Sequence, residues 1–335
     1  MNFSIGICGL PNVGKSTLFS ALTKREVKIS PIPFSTIDPN VAVLEVPDER
    51  LEKISKATNI PKIVPAFIEF VDIAGLVKGA HQGEGMGNQF LSHIRHCDAI
   101  LLLARAFQEE NIQNYLGKID PQEEFSLLET ELLMKDLETI EKILQKTKDE
   151  KEKKLFSFLK EEVIKGKKIS LISLPEEERK RIKEIQFLTD KPVLYVINSN
   201  TKNSFFEKEN LLELNAKEEL EISYFSEAER KELGFKSSIK NLIKMSYNIL
   251  DLITFFTIAK NKEVRAWSIK RGSNILEGAE KIHSDFRKKF IKAEVVSFEE
   301  LIKFGNWKEL QKNGKIRIVG KDYIIQEGDV IEIKI

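Results

Sequence analysis

Residues 9–17 read GLPNVGKST, a stretch with Gly9 and Gly14 five apart, then Lys15, Ser16 and Thr17. An apolar run, Phe3 to Cys8, precedes it, and a helical pattern carrying Leu18 and Leu22 follows. Glycines between a buried strand and a helix let the backbone wrap a polyphosphate, and the helix N-terminus adds favourable potential for anions. The N–H groups from Asn12 to Thr17 are therefore expected to face phosphate, which makes Gly9, Asn12, Val13, Gly14, Lys15, Ser16 and Thr17 the candidate nucleotide-binding set. Lys15 is expected to bridge the β- and γ-phosphates and the Ser16 hydroxyl to ligate Mg²⁺. The chemistry is phosphoryl transfer to water.

Further parts of such a site are legible. In FVDIAGLVKGA, Asp72 ends an apolar strand, where a carboxylate can hold the magnesium shell through water, and the Gly75 N–H can approach the γ-phosphate. Thr36, in PIPFSTIDPN, is the candidate for a second hydroxyl on the metal. Lys15, Thr36 and Gly75 form the expected catalytic group, and Ser16, Thr36 and Asp72 the expected metal group. Leu76 follows the D-x-x-G, and a leucine can neither donate nor accept a hydrogen bond. Hydrolysis then needs another group, or a K⁺-type cation with a backbone arrangement. The glycine-rich KGAHQGEGMGNQF, with Gly79, Gly83, Gly85 and Gly87, is read as a segment that responds to the nucleotide.

The base is the harder question. In KPVLYVINSNTKN a strand, Val193 to Ile197, delivers Asn198 and Ser199 to a loop, and Asn198 could face N6 and N7 of adenine as donor and acceptor. No acidic residue follows within Asn198–Thr201. Guanine would bury N1 and N2 donors with no charged acceptor, at a cost of about 1–3 kcal/mol.

Elements must hold these residues in place, and composition bounds them. A chain of 335 residues leaves room for about two domains. With 53 Lys and Arg against 52 Asp and Glu, the formal charge is +1, so affinity for nucleic acid must come from local patches. Cys8 and Cys97 show no paired spacing and read as reduced, structural thiols. His81, His93, His96 and His283 show no metal-ligand spacing; His81 lies in the presumed switch. The start of the chain has neither the basic leader of a signal peptide nor a membrane span, so a cytoplasmic protein is expected. Strands at 41–46, 66–71, 99–104, 193–197 and 220–222, alternating with helices, predict an α/β sheet, mainly parallel and covered on both faces. Residues 121–190 turn to Glu, Lys and Leu with apolar positions at helical spacing, which predicts a helical hairpin turning near KTKDEKEKK. From Asp251 the pattern is strands, one helix over ILEGAEKIHSDFRKKF, and closing short strands, a small α+β module with more bases than acids. Arg287, Lys288, Lys289 and Lys292 group tightly there and are candidate RNA or ribosome contacts.

Taken together, GLPNVGKSTLFSALTK, DIAGLVKGAHQGEGMGNQFLSHIR, KEVRAWSIKRG, DFRKKFIKAEV and GKDYIIQEGDV closely resemble the YchF or Obg-like ATPase family of P-loop proteins over essentially the whole chain. The resemblance implies a Ras-like P-loop sheet over 1–120 and 191–250, a coiled-coil insertion over 121–190, and a C-terminal TGS domain of β-grasp type over 251–335. It also implies a monomer that binds the large ribosomal subunit and its RNA, and slow Mg²⁺-dependent hydrolysis of ATP in preference to GTP. The phosphate loop, Ser16, Thr36, Asp72 to Gly75 and the apolar Leu76 all match the family pattern. Two positions depart from it. The family's N-x-x-E is Asn198, Ser199, Asn200, Thr201 here, without the acid, and Asn114 stands where the family commonly has a histidine. An asparagine can position a water but cannot take its proton.

Overall fold

The computed structural model describes residues 2–25, 40–73, 94–109, 111–201, 206–259 and 262–335. Thr36, Gly75, Leu76, Gly79, Gly83, Gly85, Gly87, His81 and His93 lie outside the described residues.

The chain opens with β1 (Phe3–Gly9), α1 (Lys15–Thr23), β2 (Val41–Glu45), α2 (Glu49–Thr58), β3 (Ile63–Val64), β4 (Phe67–Asp72) and β5 (Ala99–Arg105). Two long helices follow, α3 (Pro121–Lys146) and α4 (Glu150–Ile164), and then α5 (Glu176–Ile185). The chain returns through β6 (Val193–Asn198), β7 (Leu211–Leu214), α6 (Ala216–Ser223), α7 (Glu227–Glu232) and α8 (Ile239–Ile249). The last region holds β8 (Leu252–Ala259), β9 (Glu263–Lys270), α9 (Ile275–Ile282), α10 (Ser284–Lys289), β10 (Lys292–Ser297), α11 (Phe298–Phe304), α12 (Trp307–Lys312), β11 (Arg317–Val319) and β12 (Asp329–Lys334).

The first sheet has the order β2-β4-β1-β5-β6-β7, parallel throughout except for β2, which runs antiparallel to β4. The apolar runs that predicted strands at its centre are fully buried, as a parallel sheet covered on both faces requires. The strand expected at 220–222 is helical instead. Ala216, Glu219 and Ile222 are buried at three-residue intervals, and the Asn215 side chain caps α6 by accepting from the Lys217 and Glu218 N–H groups. A short apolar run carries no period of its own, and the cap decides it. The true edge strand, β7, lies just before it.

The insertion is a helical hairpin, as its spacing predicts. Asp120 caps α3 and Asp149 caps α4, and their facing sides share Ile140, Leu155, Phe156, Leu159 and Val163. At the root of the hairpin Asp136 is fully buried. It accepts from the Leu188 N–H at 2.8 Å and from the Thr189 N–H and hydroxyl at 2.7 Å each.

The second sheet, β11-β10-β12-β8-β9-β3, is mixed, and α9 packs Ile275 and Ala279 against Phe255, Ile269, Val295 and Ile331 in a β-grasp arrangement. The single helix expected over 275–290 is two. His283 is extended and its Nδ1 accepts from the Asp285 N–H at 3.2 Å, which ends α9 and starts α10.

One strand of this sheet comes from far away in sequence: β3, on the connection between β2 and β4, pairs in parallel with β9, Ile63 against Val264. On the same connection α2 buries Leu51 and Ile54 in a core with Phe256, Val264, Val296 and Leu301. Arg50 fastens its start. The guanidinium meets Asp48 at 2.7 Å and Glu327 at 2.5 Å and lies 5.1 Å from the centre of the Phe256 ring.

This shared core makes a testable statement. Ile54→Ala is expected to cost about 2–5 kcal/mol, the range for deleting a buried isoleucine side chain. Because both tryptophans, Trp267 and Trp307, lie in the second module, their fluorescence should report a lower urea midpoint although the substitution is in the first quarter of the chain.

Candidate functional site

The site is built at the carboxyl edge of the first sheet, where open α/β sheets place ligands. Leaving β1, the chain turns through Asn12 at φ 66° and Gly14 at φ 81°, and α1 begins at Lys15 with no side chain capping its first turn. The first N–H groups of the helix are thus free to meet an anion. Gly14 has two reasons to be glycine: its left-handed backbone, and the Asn198 amide nitrogen, which occupies the space where a Cβ would stand. At Gly9 a Cβ would lie 2.8 Å from the Leu103 carbonyl oxygen and 2.8 Å from Val13 Cγ2, so the strand and its neighbour pack too closely for any side chain.

Asn198 holds this corner together. Its Nδ2 donates to the Val13 carbonyl at 3.0 Å, and its Oδ1 accepts from the Ala216 N–H at 2.9 Å. Each end of the amide is engaged once, leaving one N–H and one lone pair. Ser199 is buried beside it, and its hydroxyl accepts from the Thr201 N–H at 3.1 Å and lies 3.2 Å from Thr201 Oγ1. The threonine that replaces the family acid is therefore folded onto Ser199. Asn198 and Asn200 line the cavity described next, and Ser199 does not.

A cavity of about 1190 Å³ opens over the phosphate loop. Asn12, Gly14, Lys15, Ser16 and Thr17 form its floor, residues 107–109 and 111–113 a wall, and Asn198, Asn200, Asn215 and Lys217 the far side. Phe107, Asn200, Asn215 and Lys217 were not foreseen. For Asn215 and Lys217 the signal was LNAKEE, in which Asn215 precedes Glu218 by three and marks a helix start at the sheet's carboxyl edge; Phe107 and Asn200 had none.

Lys15 pairs with Asp72, both largely shielded from solvent. A lysine, a strand-end carboxylate, the Ser16 hydroxyl and an uncapped helix start suit a magnesium polyphosphate. Among the described residues no three His, Cys, Asp or Glu side chains cluster as an all-protein cation cage. That also suits Mg²⁺, which is usually held by one or two protein groups together with phosphate oxygens and water. Asn114 turns elsewhere: its Oδ1 accepts from the Leu116 N–H at 2.8 Å, and it does not line the cavity.

Cys8 and Cys97 are buried and form no disulfide, and burial pushes both thiols up, Cys97 to about 11. In the second module Arg287, Lys288 and Lys289 are exposed on α10 and Lys292 begins β10. Two of these charges are already paired, Arg287 with Glu280 and Lys289 with Asp285 at 3.7 Å.

A Ras-like sheet whose first strand passes through this loop into a helix, with a lysine set against a strand-end carboxylate, defines a P-loop nucleoside triphosphatase. Residues 4–199 match the family described as 50S ribosome-binding GTPase, and residues 252–335 match YchF-GTPase_C, described as a protein of unknown function. The chain belongs to the YchF family. It is 42% identical over 364 residues to the ribosome-binding ATPase YchF of Bacillus subtilis, covering 100% of this chain and 99% of that one. The Mycoplasma genitalium protein of the same name is also 42% identical, with 99% and 98% covered. The solved structure of the Schizosaccharomyces pombe YchF GTPase superposes with a TM-score of 0.84 at 33% identity, covering 99% and 98%.

One buried acid at the end of β5 has its pKa moved into an accessible range. Glu124 is 1% exposed, accepts from the Arg105 N–H at 2.8 Å, and is pushed up to about 7 by burial. A carboxyl raised on folding contributes stability that is full below its unfolded value, near 4.5, and is lost as pH climbs through 7. Glu124→Gln keeps an acceptor for that N–H and removes the charge. Its melting temperature relative to wild type should therefore rise between pH 5 and pH 8; a difference independent of pH would show that Glu124 stays charged.

Proposed function

We propose that this chain is a magnesium-dependent switch that binds and slowly hydrolyses ATP in preference to GTP and associates with the ribosome. The observation that carries the base preference is the fold of Asn198–Thr201. Thr201 closes on Ser199, so no carboxylate from this loop meets guanine N1 and N2, and amides from Asn198 and Asn200 stand at the cavity instead. The loss for guanine is about 1–3 kcal/mol, or roughly five- to 150-fold in affinity.

In this reading the loop amides and Lys15 hold the β- and γ-phosphates, with Lys15 leaving Asp72 to do so. Ser16, Thr36 and Asp72 hold Mg²⁺, which when bound neutralises charge developing on the phosphate oxygens, and Gly75 offers an N–H to the γ-phosphate. The Phe107 ring offers an apolar face beside Gly14 for the base. Slow turnover fits Leu76 and Asn114, whose Oδ1 is committed to its own turn. A K⁺ ion or a group from the partner would complete the water-activating arrangement. The names of the relatives support a ribosomal partner, and cytoplasmic location and a monomeric state accompany that reading.

A second reading is favoured by the same Asn114 geometry: a nucleotide-gated RNA-binding or ribosome-binding module with negligible hydrolysis. A GTPase or dual hydrolase is the third. One experiment separates them: calorimetric titration of Mg·ATP and Mg·GTP into wild type and Lys15→Ala, with phosphate release followed on the same samples. ATP should bind at least about five times more tightly than GTP. Wild type should release phosphate at least about tenfold faster than the variant, which removes a group stabilising the transferred phosphate. Equal release would leave the module reading standing, and guanine preference the GTPase.

Arg287, Lys288, Lys289 and Lys292 are proposed as the RNA contacts. Replacing all four with Gln should weaken ribosome co-sedimentation and flatten its salt dependence, since each lost phosphate contact removes released counterions. Unchanged sedimentation across salt concentrations would remove these residues from the interface.

A further inference from the structure

The wall of the cavity formed by residues 107–109 and 111–113 has no regular helix or strand, yet one side chain clasps both its ends. Arg105, the last residue of β5, is 3% exposed and lies in register with Asn198 on β6. Its Nε donates to the Phe107 carbonyl at 3.0 Å, and its Nη1 donates to the carbonyls of Ile112 at 3.1 Å and Gln113 at 3.4 Å. The guanidinium also lies 4.4 Å from the centre of the Phe107 ring. The Gln113 carbonyl accepts a second bond, from Asn12 Nδ2 of the phosphate loop at 3.2 Å. The neck of the segment is thus closed by a buried cation and its far end is tied to the phosphate loop.

We propose that Arg105 is a positioning residue for the nucleoside half of the ligand, holding Phe107 and the wall at Ile112 and Gln113 against the phosphate-loop corner while touching no phosphate itself. The inference rests on the reading that the cavity takes a magnesium nucleotide. Three features support it. Phe107 is placed over the corner where Gly14 meets Asn198: its ring edge lies 3.6 Å from where a Gly14 Cβ would be. The requirement is for an arginine, because a planar fork with five donors can meet carbonyls at both ends of a loop and stack on a ring, whereas a lysine ammonium is a single point on a flexible stem. The phosphates have their own holders in Lys15 and the first turn of α1, so disorder in this wall should be felt by the base and ribose alone.

The test compares Mg·ATP with inorganic tripolyphosphate plus Mg²⁺, titrated calorimetrically into wild type, Arg105→Lys and Phe107→Ala. Arg105→Lys keeps the buried charge and so guards against simple unfolding, and thermal melts check that each variant is folded. Arg105→Lys is expected to weaken ATP about tenfold or more while tripolyphosphate changes less than twofold, with Phe107→Ala showing the same split. The double variant should lose no more than the worse single one, because both substitutions disable one wall. ATP affinity equal to wild type in Arg105→Lys overturns the inference, and so does equal weakening of ATP and tripolyphosphate. If wild type itself binds ATP no better than tripolyphosphate, the reading of the cavity as a nucleotide site fails first, and the inference falls with it.

Discussion

The amide of Asn198 joins three separate pieces of chain at one point. The carbonyl of Val13 belongs to the phosphate loop, the N–H of Ala216 to the first turn of α6, and Asn198 to the end of a central strand. The side chain is 5% exposed, so removing it would leave a buried acceptor and a buried donor without partners, at about 1–3 kcal/mol each. Its position also dictates the loop's composition, because the nitrogen occupies the space that any side chain at Gly14 would need. The curvature of the phosphate loop is in this sense set from outside, by a residue 185 positions along the sequence.

The helical hairpin is attached by similar logic. Along α3 three acids fix the insertion: Glu124 reaches the Arg105 N–H and Glu129 reaches Tyr195 and Lys208 of the sheet domain, while Glu129 also meets Lys168 and Asp136 holds the returning turn at Leu188 and Thr189 just before β6. Farther out, the two helices meet through apolar side chains. Polar contacts at the root demand particular partners and geometry, while apolar contacts along the arm demand little beyond matching volume. The arm is therefore fixed in register where it meets the nucleotide domain.

How much of this could be read from sequence follows the range of the physics. The phosphate loop was legible because glycine spacing, the lysine and the hydroxyls state a local chemistry; the pairing of Lys15 with Asp72 was not part of that reading. The hairpin was legible from apolar spacing sustained over several turns. Leu220 to Ile222 was misread because three residues carry no period, and the deciding Asn215 cap sits outside the run. The break at His283 was hidden because the apolar pattern continues across it. Arg105 was unreadable, since its role lies in carbonyls two to eight residues ahead and in a loop shape no pattern encodes. The pairing of β3 with β9 was beyond reach for the same reason on a larger scale: two residues at 63–64 give no hint of partners two hundred positions away.

That last pairing bears on how the molecule comes to be made. A ribosome delivers the chain from its N-terminus, and the first sheet could assemble once β7 has emerged. The stretch from Glu49 to Val64 could not, because Leu51, Ile54 and Ile63 meet partners in β8, β9 and α11 that are synthesised last. During that interval an amphipathic helix and an unpaired strand hang from the connection between β2 and β4, at the Phe67 end of β4, opposite Asp72. The nascent first sheet thus carries an unfinished segment at the end away from the nucleotide site, and completion of the C-terminal sheet covers it, so the order of synthesis sets the order in which the two modules can become whole.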